Sequence, residues 1–201
     1  MRPLPFLILM CGFATVFGCS GPDAAPIKPP SYDADDMAKA AMVQLDKNVN
    51  GTIEGPELDA CPGLKAGLAH IDTNNDGKLT QDELKTRFDA YRVAGAVGYS
   101  IRVTLDGAPL PDATVTLTPE LFMSGAISPA TGKTGPDGSI SSYQIDGRDS
   151  PGLPSGVYRI AVTKDGAKIP ARYNTETTLG CEVSAGGRGG SSGLDLKLNS
   201  K

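Results

Sequence analysis

The sequence predicts a multi-domain α + β chain, with an N-terminal helical pair followed by a C-terminal antiparallel β-sandwich. Three observations carry this expectation. Two acidic loops start at Asp46 and Asp72, each flanked by apolar residues at helical spacing. A run of small residues at 94–98 follows the second loop. Beyond it the apolar period changes from helical to alternating, with frequent turn signals. At 201 residues the chain has room for one medium or two small domains. Its 25 Gly, 16 Pro and 21% charged residues read as folded and turn-rich, not disordered. A net charge of −4 without any basic block gives no footing for nucleic acid as a partner.

Arg2 and the apolar run from Leu4 to Phe17 read as a targeting segment, too short to cross a bilayer comfortably. The run ends in Val16-Phe17-Gly18-Cys19-Ser20, which resembles the lipobox of bacterial lipoproteins. That resemblance implies cleavage before Cys19, acylation of Cys19 and an exported protein anchored in a membrane. By the same resemblance to lipoproteins of two-membrane bacteria, Ser20 in place of Asp after the cysteine implies the outer membrane. Residues 1–18 are thus a signal peptide. Residues 19–34 are a proline-rich tether that holds the rest off the membrane.

A short amphipathic helix is expected from Asp35 to Leu45, capped by Asp35, with Met37, Ala41, Met42 and Leu45 inward. Then come DKNVNGTIEGPE and DTNNDGKLTQDE, whose first residues are 26 positions apart. Both match the twelve-residue calcium loop, and the match fits the chemistry of a hard cation that takes about 6–8 oxygen ligands. In the first loop Asp46, Asn48 and Asn50 supply side-chain oxygens at positions 1, 3 and 5. Thr52 offers its carbonyl, Glu54 stands at position 9, and Glu57 closes the shell with two oxygens. In the second loop the same roles fall to Asp72, Asn74, Asp76, Lys78, Thr80 and Glu83. Lys78 needs only its carbonyl, so its charge can point outward. Gly51 and Gly77 take the sharp turn at position 6.

The flanks agree. Met42 and Leu45 precede the first loop, and Leu64, Leu68 and Ile71 precede the second. Leu58, Leu84 and Phe88 follow on one face. Ile53 and Leu79, at position 8, are expected to pair as a short antiparallel contact. Thr80 and Glu83 read as a capping box. The stretch resembles an EF-hand calcium-binding pair, assigned to residues 35–93 and implying two calcium sites. It departs from the common pattern in its short connector, which implies stubby inner helices and a turn at Cys61-Pro62-Gly63.

With Cys11 in the signal and Cys19 acylated, Cys61 and Cys181 remain, in an oxidising setting. A disulfide between them is expected to tie the two halves together. Two buried free thiols are the alternative.

Strands are expected at 99–105, 113–118, 122–125, 132–134, 139–145, 157–164, 167–173, 178–183 and 194–198. Gly186 to Gly193 reads as a flexible connection. VTLDGAPLPDATVTLTP, ATGKTGPDGSI, LPSGVYRIAVTK and IPARYN resemble the transthyretin-like, carboxypeptidase-regulatory-like β-sandwich of bacterial exported lipoproteins. The likeness covers 98–198, and the domain is assigned to 98–199. It implies an attached module without catalysis.

No enzyme is expected. The one histidine, His70, lies on a helix entering the second loop, and no second histidine exists for a zinc cluster. A serine triad would have to recruit His70 beside a metal ligand. The expected function is calcium binding by a lipid-anchored envelope protein with a structural or interaction role. Two alternatives stay open. One is a calcium sensor that exposes a groove to a partner. The other is a carbohydrate- or peptide-binding module using Tyr99, Phe122, Tyr143, Tyr158 or Tyr173. The partner left open is an unidentified envelope protein or a glycan.

Overall fold

The computed structural model describes residues 31–185 and 193–201. The expected signal peptide, Cys19, most of the proline-rich tether and most of the glycine-rich connection lie outside the described residues.

Helix α1 (Ala34–Leu45) starts one residue earlier than expected, because Asp33 is its cap and accepts from the N–H of Asp35 and Asp36. Ala34, Met37, Ala38 and Ala41 are buried along its inner face. After the first loop come β1 (Thr52–Ile53), the single-turn α2 (Pro56–Asp59) and α3 (Pro62–Ile71). The stubby inner helix is present. The break, however, falls at Ala60–Cys61, and Pro62 opens α3, where its missing N–H costs nothing. Then follow β2 (Leu79–Thr80) and α4 (Gln81–Ala94), which carries the expected Thr80–Glu83 capping box.

The remainder is strand: β3 (Ala96–Val97), β4 (Ser100–Leu105), β5 (Ala108–Pro109), β6 (Thr114–Pro119), β7 (Ala130–Thr134), β8 (Ile140–Ile145), β9 (Arg148–Ser150), β10 (Leu153–Pro154), β11 (Gly156–Thr163), β12 (Leu179–Val183) and β13 (Gly193–Leu198). A six-stranded sheet has the order β12-β11-β6-β7-β8-β9, and a three-stranded sheet the order β13-β4-β5. Two expected strands are absent. Leu121–Met123 and Ala171–Tyr173 are 3₁₀ turns, each entered from an extended residue. Short apolar runs do not separate a turn from a strand by pattern alone.

The architecture corrects the expected one. Strands hold 35% of the described residues against 28% for helices, so the chain is mainly β. The three-stranded sheet is mixed, because β13 runs parallel to β4 from Gly193↔Ser100 to Leu198↔Leu105. Alternation of apolar residues reports which face is inward, not strand direction, so the sequence pattern could not distinguish this. Nor do the helices form an N-terminal pair leading into an antiparallel sandwich. They are a layer on the six-stranded sheet, and one continuous core runs from Ala38, Leu84 and Phe88 through Tyr158 and Ile160 to Val103 and Leu196. Even the small-residue run at 94–98 is bolted down. There β3 pairs with β10, and Ser155 donates to the Gly95 carbonyl through its N–H and its hydroxyl, both at 3.1 Å.

Pleating divides the six-stranded sheet. One face carries Cys181, Tyr158, Ile160, Leu117 and Tyr143, all buried. It meets the three-stranded sheet, and the Tyr143 hydroxyl donates to the Tyr99 carbonyl at 2.7 Å. The opposite face receives α3 at Gly180, where a β-carbon would lie 2.2 Å from the Pro62 carbonyl carbon. At Gly63 a β-carbon would lie 2.9 Å from the Tyr158 nitrogen. Only glycine lets helix and strand approach this closely. Replacement Gly180→Ala is expected to lower stability by about 1–3 kcal/mol, the usual cost of overpacking. Chemical denaturation measures this directly, and an unchanged midpoint would refute the packing described.

Candidate metal centre

The two acidic loops adopt one hydrogen-bond scheme. In the first, Asn50 N–H donates to Asp46 Oδ1 at 3.1 Å and to Asn48 Oδ1 at 2.9 Å. Gly51 N–H donates to Asp46 Oδ2 at 2.9 Å, and Thr52 N–H to Asn50 Oδ1 at 2.9 Å. In the second, Asp76 N–H donates to Asp72 Oδ1 at 3.2 Å and to Asn74 Oδ1 at 3.0 Å. Gly77 N–H reaches Asp72 Oδ2 at 2.8 Å, and Lys78 N–H reaches Asp76 Oδ1 at 2.9 Å. Gly51 and Gly77 have φ of 85° and 79°, in the left-handed region that glycine enters freely. Val49 and Asn75 at position 4 are also left-handed, with φ of 58° and 59°. Asparagine tolerates this, whereas a β-branched valine is strained there.

The closing glutamates fold back over their loops. Glu57 Oε1 accepts from Lys47 N–H at 2.8 Å, and its Oε2 from Glu54 N–H at 3.2 Å. Glu83 Oε1 accepts from Thr73 N–H at 3.0 Å, and its Oε2 from Thr80 N–H at 2.9 Å. Burial pushes the Glu83 carboxyl up. The N–H and hydroxyl groups of Thr80 and Thr73 outweigh this and hold it below its ordinary value. Between the loops, Ile53 pairs with Leu79 and Thr52 with Thr80 in the expected antiparallel contact. Both position-8 side chains are fully buried.

The side-chain oxygens of Asp46, Asn48, Asn50 and Glu57, and of Asp72, Asn74, Asp76 and Glu83, thus all accept from backbone N–H groups of their own loop. The two side chains at position 9 are engaged otherwise. Glu54 is taken up by Lys78 Nζ at 2.7 Å and by the Asn50 amide at 2.8 Å. Those two partners, Lys78 first, hold its carboxyl below its usual range. The Thr80 hydroxyl is taken up by the capping box. Lys78 thus bridges from its own loop to the other. The oxygen-only donor set of each loop fits a hard divalent cation.

A second acidic group, Asp33, Asp35 and Asp36, can bring three carboxylate oxygens within 4.8 Å of one another. It is the capped start of α1, where Asp33 caps and Asp35 pairs with Lys39.

Sequence reasoning missed two buried carboxylates that seat α3 on the sheet. At its start, Gly63 N–H donates to Glu120 Oε1 at 2.9 Å. At its end, Glu182 on β12 receives His70, Arg87 and Tyr91. One signal existed. Arg87 falls in the stripe Leu84, Phe88, Tyr91, where an apolar residue is expected. The candidate stacking aromatics are committed inward: Phe122, Tyr143, Tyr158 and Tyr173 are buried, and Tyr99 packs partly buried against the core.

Cys61 and Cys181 are not bridged; both are buried free thiols. The pleat explains this. Gly180 and Glu182 face α3, so Cys181 between them points to the other side, towards Tyr99. Cys61 caps α3 on the helix side, beside Glu120 and Arg159. Burial pushes both thiols up to about 12.

Among the described residues, no helix is long and apolar enough to cross a membrane. No protein-family model matches the chain, no curated protein matches its sequence, and no solved structure matches its fold.

Because the thiolate is the reactive form, Cys61 and Cys181 should resist thiol reagents in the native protein and react only on unfolding. Mass spectrometry after native and denaturing labelling checks this. A linked Cys61–Cys181 peptide in the unreduced digest would contradict it.

Proposed function

We propose that this chain binds two calcium ions, one in each acidic loop, and that the ions brace the fold and carry no catalysis. The carrying observation is the shared scheme of the loops. Two separate segments converge, position for position, on the same amide-to-oxygen bonds and the same folded-back glutamate. In this reading Asp46, Asn48, Asn50, Glu57 and the Thr52 carbonyl hold one ion. Asp72, Asn74, Asp76, Glu83 and the Lys78 carbonyl hold the other. Calcium supplies positive charge that ties the helix entering each loop to the one leaving it. The EF-hand resemblance of the loop motifs supports the choice of ion.

Loop 2 gathers three carboxylates where loop 1 gathers two, so the second site is the tighter. A bracing role is preferred to a sensing one. Opening the helices would have to expose Ile71, Leu84, Phe88 and Tyr91, which lie in the core shared with the sheet. The motif at Gly18-Cys19 supports export and lipid anchoring, with the described residues held outside the cytoplasm, where calcium modules bind at about 10⁻⁴–10⁻³ M. A structural or interaction role in the envelope follows, its partner an envelope protein or glycan.

Calorimetric titration is expected to find two calcium sites and a raised melting temperature. Glu57→Gln should abolish or greatly weaken one site and Glu83→Gln the other. Absence of binding heat and of stabilisation, or variants that bind like the parent, would overturn the assignment.

A further inference from the structure

Resting on the calcium reading above, we infer that Glu182 is a positioning residue that sets the calcium affinity of loop 2 from the sheet. Its side chain is only 4% exposed. Oε2 lies 2.7 Å from His70 Nδ1, and Oε1 accepts from Arg87 Nε at 2.5 Å and from the Tyr91 hydroxyl at 2.6 Å. His70 stands on α3, two residues before Asp72. Arg87 stands on α4, one turn after Glu83, and also donates to Ser184 Oγ at 2.8 Å. One carboxylate therefore joins the helix that delivers position 1 to the helix that delivers position 12. It fixes both to β12.

A cation site gains affinity when its ligands are held in place before the ion arrives, because less ordering remains to be done on binding. Asp72 ends α3 and Glu83 lies in the first turn of α4, so their separation is set by how α3 and α4 lie together. Glu182 fixes that relation. The glycine contacts bring α3 close enough for it to do so. A β-carbon on Gly67 would lie 3.2 Å from the Glu182 β-carbon.

Among the described residues, no carboxylate joins both helices flanking loop 1 to the sheet. Its exiting helix α2 is a single turn, and beside Glu57 lies an open hollow of about 600 Å³, lined in part by Leu45, Pro56 and Ala60. The asymmetry makes the effect specific to one site. A merely structural loss would weaken both.

The test is calorimetry of the full chain with calcium chloride, comparing the parent with Glu182→Gln, which keeps the side-chain size and removes the charge. The dissociation constant of the loop-2 site should rise about tenfold, within the usual range of coupling between sites. The loop-1 constant should not move. In a Glu83→Gln background, adding Glu182→Gln should leave the remaining site unchanged. Should Glu182→Gln fail to fold, Arg87→Gln leaves Glu182 its other two partners and reads the same coupling. Two sites in the parent with both constants unchanged in the variant would overturn the role of Glu182 alone. Equal weakening of both sites would also overturn it. No calcium binding by the parent would overturn the calcium reading itself.

Discussion

The backbone of α3 rests on the backbone of β12, and this contact decides how the acidic loops are held. Helix–sheet packing normally leaves room for side chains on both partners. Here Gly63, Gly67 and Gly180 remove them along the line of contact. The approach buries the first turn of α3, whose N–H groups must then find partners within the protein. Glu120 supplies one at Gly63. At the other end Glu182 is buried as a charge, and it is tolerated because Arg87, His70 and Tyr91 surround it. Removing one partner of such a buried pair costs about 3–5 kcal/mol.

The loops inherit this rigidity unequally. The second is framed by α3 and α4, both anchored to the sheet. The first is framed by α1, which packs on α4, and by the single turn α2. The two are joined by the Ile53–Leu79 pairing beneath and by the Lys78–Glu54 ion pair at the surface. That ion pair is partly exposed, so it steers the loops more than it stabilises them. The buried pairing joins the loops along one short edge, while each keeps its own framing helices.

Local chemistry was legible in the sequence, and long-range architecture was not. The turns at Gly51 and Gly77 and the capping box are each fixed within about twelve residues by glycine conformation and helix capping. All are present. Most strands were legible as well, because alternation is a local signal. The Ile53–Leu79 pairing was expected; what the sequence did not show was set by other contacts between distant segments. The parallel entry of β13 beside β4 leaves no trace in alternation. The opposite facing of Cys61 and Cys181 depends on which side of β12 meets α3. The pairing of Ala96 and Val97 with β10 is likewise a long-range contact that small residues do not announce. Glu182 was invisible for a related reason: a charge in a short strand reads as a solvent face until a helix is laid over it. Arg87 within an apolar stripe was the one hint that such a partner existed.

The measurement that bears most directly on this account is NMR of the amides through a calcium titration, following Gly51, Gly77 and the β12 residues. Gly51 and Gly77 donate to Asp46 and Asp72, so a cation drawing on those carboxylates must alter both resonances. The account predicts that both shift as the sites fill, while the amides of Gly180, Cys181 and Glu182 stay in place, because α3 does not leave the sheet. Unmoved Gly51 and Gly77 would contradict calcium binding at these loops. Large shifts along β12 would contradict the braced, non-opening arrangement.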